Sequence, residues 1–168
     1  AMSKIFDGDD AFNWTKAFAE QVLTPEEAAA AVENGDSLAC SLPEPTGFLY
    51  ALANRTELRE ITIFIPAPRK GGVAIAKHPG IELKTPFLTQ IMRDANAHAE
   101  VVPVRLEDWG SFTKRNASRI SIVQVGRPRP DGSIAPGSAI AGNDALVRKN
   151  RQKNDLVFAL VNPVVPDI

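Results

Sequence analysis

Short apolar runs separated by polar breaks divide the chain into alternating extended and helical segments. Ser37–Cys40, Ile61-Thr62-Ile63-Phe64-Ile65, Val101–Val104, Ile120–Val125 and Leu156–Val161 are compact apolar or β-branched runs. The Ile61–Ile65 run is apolar enough for a strand covered on both faces, and Leu156–Val161 reads as a final buried strand. Helical signals fill the intervals. Asn13–Gln21 predicts a short leading helix. Thr24-Pro25-Glu26-Glu27 then writes a helix start: Thr24 caps, Pro25 takes the first helical position and Glu27 completes a capping box. The alanine-rich body runs to Glu33, and Asn34-Gly35 stops it. Further helices are predicted from Thr46 to about Arg55 with Thr46 as N-cap, over Thr85–His98, over Glu107–Arg115 and over Ala139–Lys153. The stretch Pro66–Lys84, with Gly71-Gly72 and Pro79-Gly80, reads as an excursion without a regular element.

Strands alternating with helices predict an α/β fold, a mostly parallel sheet with helices on both faces. Neither an internal repeat nor a linker interrupts it, so the expected organisation is one domain over residues 14–168 after an extension at 1–13. Ala1 before Met2 looks like a residue left by tag removal. A chain of 168 residues that is 44% hydrophobic and 23% charged suits one domain with a sizeable core. The net charge of −1 supplies no field for nucleic acid or an anionic membrane. No apolar run approaches the roughly 20 residues of a membrane span. The N-terminus lacks the basic and apolar regions of a signal peptide. With Cys40 as the sole cysteine, intrachain disulfides and cysteine-rich zinc sites are excluded, and a cytoplasmic location is the expectation.

The standard chemical signatures are missing. No Gly-x-Gly-x-x-Gly follows the first strand and no Gly-Lys-Ser/Thr phosphate loop exists, which argues against dinucleotide or P-loop binding. His78 and His98 have no helical pairing and no nearby cysteine, so they read as surface or loop residues and no metal is expected. Cys40, at a strand end, reads as a small buried apolar side chain. Ser111, Ser118 and Ser138 lack a Gly-x-Ser-x-Gly elbow. Three loops remain. In the first, Ser41–Gly47, Pro43 and Pro45 bracket Glu44 between a strand end and a helix start, where α/β proteins place ligands. In the second, Arg69-Lys70-Gly71-Gly72, two cations precede two glycines, which fits either a phosphate cradle or a solvated loop. The third, Arg127–Ser138, also leaves the carboxyl end of a strand, so it and the first can line one crevice; its glycines fit that role or tight turns alone. The basic run Arg148–Lys153 suits a helix C-terminus.

In order, these pieces resemble the N-terminal half of the acetyl-CoA hydrolase/transferase family, which includes the 4-hydroxybutyrate CoA-transferases. Trp14 and Leu23-Thr24-Pro25-Glu26-Glu27-Ala28 are similar to its opening helix. Asn34-Gly35-Asp36 and the Glu44-Pro45 turn, with Leu49 and Ala51-Leu52, continue the likeness. Ile122-Val123-Gln124-Val125, Asp131-Gly132-Ser133-Ile134, Gly137-Ser138 and Val161-Asn162-Pro163-x-x-Pro166 are similar to its last strand pair and the loop between. The resemblance covers nearly the whole chain. It implies two similar α/β halves with the active site between them and acyl-CoA as substrate, with coenzyme A entering as substrate and no cofactor bound covalently. It also implies a glutamate nucleophile that forms an acyl-glutamyl anhydride and then a glutamyl-CoA thioester, resolved by a carboxylic acid or water. That glutamate belongs to the family's C-terminal half, so no catalytic residue is expected in this chain. The chain also departs between Lys84 and Asp94, where the family's asparagine- and glycine-containing loop is replaced by a shorter segment.

The leading expectation is therefore an N-terminal half or subunit of an acyl-CoA transferase or hydrolase, inactive alone, that pairs with a catalytic half. Ser41, Glu44, Pro45, Thr46, Gly47, Gly132, Ser133, Gly137 and Ser138 would line its CoA-ester crevice. An apolar face left by a missing half would allow a homodimer. The alternatives are a non-catalytic CoA-ester-binding or regulatory module, and a small enzyme using Glu44 itself as nucleophile.

Overall fold

A computed structural model describes residues 12–105, 108, 119–136, 155–162 and 164. The leading segment forms a single helical turn, α1 (Trp14–Ala17), and a 3-10 turn at Ala19–Gln21. α2 (Pro25–Ala30) starts on the expected capping box: Thr24 Oγ1 accepts from the Glu27 amide and Glu27 Oε2 accepts from the Thr24 amide. There follow β1 (Ser37–Cys40), α3 (Thr46–Ala53), β2 (Ile61–Phe64), α4 (Lys70–Ala76), β3 (Ile81–Thr85), α5 (Gln90–Asp94), β4 (Glu100–Val101), β5 (Ile120–Val125) and β6 (Leu156–Val161). The predicted helices at Glu107–Arg115 and Ala139–Lys153 fall outside the described residues.

All six strands join one parallel sheet in the order β4-β3-β2-β1-β5-β6. From β1 the chain steps outward to β2, β3 and β4, then returns to the other side of β1 for β5 and β6. The strand order therefore reverses between β1 and β5, and their carboxyl ends diverge into loops running opposite ways. Strand alternation sorts the side chains. Leu38, Cys40, Ile61, Ile63, Ile81, Leu83, Ile120 and Ile122 face one side and pack with Ala29, Phe48, Leu49, Leu52, Ile75 and Met92 of the helices. Ala39, Phe64, Val123 and Val125 face the other, with Val157 and Val161 against them. α2 to α5 thus share one face of the sheet. No helix among the described residues is long and apolar enough to cross a membrane.

Several expectations are corrected. Pro66–Lys84 is no excursion, since it holds both α4 and β3. Gly71 and Gly72 sit in the first turn of α4 because larger residues do not fit there. A Cβ on Gly72 would lie 2.3 Å from Pro68 Cβ, and one on Gly71 would lie 2.9 Å from Leu49 Cδ1. The helix predicted over Thr85–His98 shrinks to Gln90–Asp94. Buried Thr85 ends β3, and the cap is Thr89, whose Oγ1 accepts from the Met92 amide. Thr46 is not an N-cap. Its amide already donates to Glu44 O, which makes it the first helical residue behind Pro45. β6 has the predicted limits but is a half-exposed edge strand rather than a buried one.

Candidate functional site

The first loop leaves β1 through Ser41, whose amide donates to Ile122 O and whose Oγ accepts from the Gln124 amide at 2.9 Å. Ser41 is thus buried and extends the β1–β5 seam. Glu44 follows, only 5% exposed, and its side chain reaches across to the start of α4. Oε2 accepts from the amides of Arg69 at 2.6 Å and Gly72 at 3.1 Å. Oε1 accepts from the Gly71 amide at 2.8 Å and the Thr46 hydroxyl at 3.2 Å. A carboxylate offers about four lone-pair sites, and here each meets a donor. The first amides of α4 have no intrahelical acceptor, and the partial positive charge of a helix start favours an anion. Glu44 fills both needs. Arg69–Gly72 therefore presents its amides to this side chain, where the sequence left a phosphate cradle open, and the first two candidate loops form a single device.

Cys40 lies on the helix-covered face beside this loop. Burial pushes its thiol well above the usual range, and the Glu44 carboxylate pushes it further the same way. A thiol so held is a small apolar side chain and not a thiolate nucleophile.

At the carboxyl ends of β1, β5 and β6 a cleft of about 280 Å³ is lined by Glu44, Thr46, Gly47, Gln124, Val161 and Asn162, with Leu160. An adjoining, more apolar cleft of about 440 Å³ lies between the leading segment and the sheet, with Trp14, Phe18, Phe48, Gly132, Ile134 and Phe158 in its walls. Leu160 and Val161 border both. The third loop is a tight reversal closed by a Pro128–Ile134 bridge. Gly132 takes a φ of +80° at its tip, which favours glycine. Asp131 Oδ1 accepts from the Ser133 amide at 2.9 Å. The Ser133 hydroxyl and amide hold the Asp131 carboxyl below its ordinary value. Thr46, Gly47 and Glu44 thus meet in the smaller cleft and Gly132 lines the larger. Ser133 is exposed and lines neither, while Ser41 and Pro45 are buried behind the walls. Gly137 and Ser138 lie outside the described residues.

Two polar residues of the smaller cleft were not singled out as site residues from sequence, Gln124 and Asn162. Each had a signal. Gln124 is an amide side chain in a strand buried along its whole length, and Asn162 is the first residue beyond a strand at the ligand-binding end. His78, expected at the surface, is buried. Its Nδ1 accepts from the Gly80 amide, so Nε2 donates to Arg55 O at 3.0 Å. His98 is exposed, and among the described residues no group of His, Cys, Asp and Glu could hold a metal.

No family model matches the chain, and a comparison with curated protein sequences finds no match. Solved structures do match. RipA from Yersinia pestis superposes with a TM-score of 0.78 at 18% identity, over 94% of this chain and 40% of that one. A 4-hydroxybutyrate CoA-transferase from Porphyromonas gingivalis gives 0.56 at 14%, over 92% of this chain and 43% of that one. A variant of the decarboxylase AibA/AibB gives 0.54 at 11%, over 86% of this chain and 78% of that one. At such identities the likeness carries the fold alone, and the fold is CoA-transferase-like. The chain spans about two fifths of the length of the first two.

Proposed function

We propose that this chain forms one wall of an acyl-CoA site, as the N-terminal half or a subunit of an acyl-CoA transferase or hydrolase. The observation that carries the reading is the cleft at the strand-order reversal, in a fold shared with a CoA-transferase, whose one carboxylate is already committed to backbone amides. The nucleophilic glutamate then comes from another half or subunit. It attacks the thioester carbonyl and coenzyme A leaves as thiolate, giving an acyl-glutamyl anhydride. The thiolate then attacks the glutamyl carbonyl, the acyl group leaves as its carboxylate, and a second carboxylate or water resolves the glutamyl-CoA thioester. This chain positions the ester and excludes water. Support for a separate subunit comes from the decarboxylase chain, 78% of which matches, so a polypeptide of near this size carries the fold elsewhere. The Glu44 carboxylate serves as a positioning group. From the third loop, Gly132 borders the adjoining larger cleft.

Acetyl-CoA incubated with the purified chain should show no turnover, and borohydride reduction followed by peptide mass spectrometry should leave Glu44 unmodified. Calorimetry should detect coenzyme A binding, strengthened by a partner chain that supplies the glutamate. Turnover by the chain alone contradicts the reading. Binding of a CoA ester with no catalytic partner able to restore turnover would instead identify the non-catalytic module.

A further inference from the structure

Gln124 is 7% exposed and sits in a strand buried throughout. Its backbone amide donates to Ser41 Oγ, but its side-chain carboxamide has no hydrogen-bond partner among the described residues. Leaving such a group buried and unmatched is unfavourable, so its place there calls for a partner. Strand alternation sends it to the side of Ile120 and Ile122, the face on which α3 packs. There it borders the smaller cleft beside Gly47, the second residue of α3. The Gly47 amide is likewise without an acceptor among the described residues. At the mouth, Asn162 Oδ1 accepts from the Val164 amide at 3.1 Å, while its Nδ2 donates to no described residue. Three unspent donors therefore border one small cleft.

From this arrangement we infer that Gln124, Gly47 and Asn162 form a subsite for a neutral carbonyl oxygen, the group shared by thioesters and amides. The charge of the ligand follows from Glu44, which lines the same cleft. A second carboxylate entering there meets its repulsion, whereas a neutral carbonyl accepts the donors without that penalty. The carboxamide's own oxygen remains available to an N–H of the ligand. The inference deepens the acyl-CoA reading and rests on it only for the source of the carbonyl.

The test follows the Gln124 side-chain NH2 resonances, assigned by their loss in Gln124→Met, during titration with three probes. S-ethyl thioacetate carries a thioester, N-ethylacetamide an amide, and acetate an anion. Saturable shifts are expected with the thioester, the amide or both, telling the two sources apart, and none with acetate. Gln124→Met should weaken the responding probe at least tenfold, read from resonances of neighbouring residues, and should melt no lower than the parent because an unmatched polar group is gone. The proposal is overturned if neither neutral probe shifts the resonances, or if acetate does so as strongly. It is overturned also if Gln124→Met binds as well as the parent, or if it melts lower, which would show the carboxamide spent on the fold. Equal acetyl-CoA binding by parent and Gln124→Met removes the subsite and leaves the acyl-CoA reading intact. Saturation by a neutral probe without coenzyme A binding does the reverse.

Discussion

Three backbone amides and a hydroxyl converge on the Glu44 carboxylate, and chemical identity matters at each contact. Glu44→Gln keeps the shape but turns one acceptor oxygen into a donor facing amide hydrogens. At least one buried N–H then loses its acceptor, which should destabilise the chain by about 1–3 kcal/mol. Urea unfolding monitored by circular dichroism would measure this as a lower midpoint with an unchanged slope. Gly72→Ala attacks the same device from the other side. With Pro68 Cβ 2.3 Å from the added methyl carbon, overpacking should cost about 1–3 kcal/mol. None of this pairing was legible in the sequence. Glu44 and Gly71-Gly72 lie in different loops, each with an ordinary local explanation, and only the β1–β2 pairing brings them together.

The ends of β1 and β5 opposite the cleft are tied by a second buried carboxylate. Asp36, 8% exposed, accepts both arms of the Arg119 guanidinium and the Glu33 amide, while Arg119 also donates to Ala31 O beyond α2. Burial raises the Asp36 carboxyl, but the Arg119 and Glu33 hydrogen bonds outweigh it and hold it below its ordinary 3.8. A depressed carboxyl stabilises the fold above its unfolded value, and that contribution fades as pH falls through the folded one. Denaturation midpoints of the parent and Asp36→Asn should therefore be well separated at neutral pH and converge as pH drops below 3.8. At this scale the sequence was informative where signals were local. The capping box of α2 and the limits of β1, β5 and β6 stand as predicted. α4 and β3 were hidden because glycines required by close packing look the same in a sequence as glycines that make a loop.

For the whole molecule the sheet order ranks the strands by stability. β1 and β5 have neighbours on both sides and buried side chains, whereas β4 is two exposed residues and β6 is an edge. Amide hydrogen exchange should therefore be slowest in β1, β2 and β5 and fastest in β4, with β6 between. A covering partner on the β6 side would show itself as added protection there. The Lys84 contacts with Glu82 and Glu100 are half-exposed and add little to this ranking. The fold class was readable from alternating strands and helices. The edge position of β6 was not, because an apolar run does not say how many neighbours its strand will have.

In binding terms, the turn at Arg69–Gly72 is a receptor permanently occupied by a tethered ligand, the side chain at position 44. Attachment through the chain gives that ligand a high effective concentration, so no free anion competes with it. Cutting the tether in Glu44→Ala should create a vacancy of matching chemistry. Formate, a carboxylate small enough for the hole, should then raise the melting temperature of Glu44→Ala with increasing concentration and leave the parent unmoved, with chloride at equal ionic strength as the control. The start of α4 is an anion receptor for which the chain supplies its own occupant.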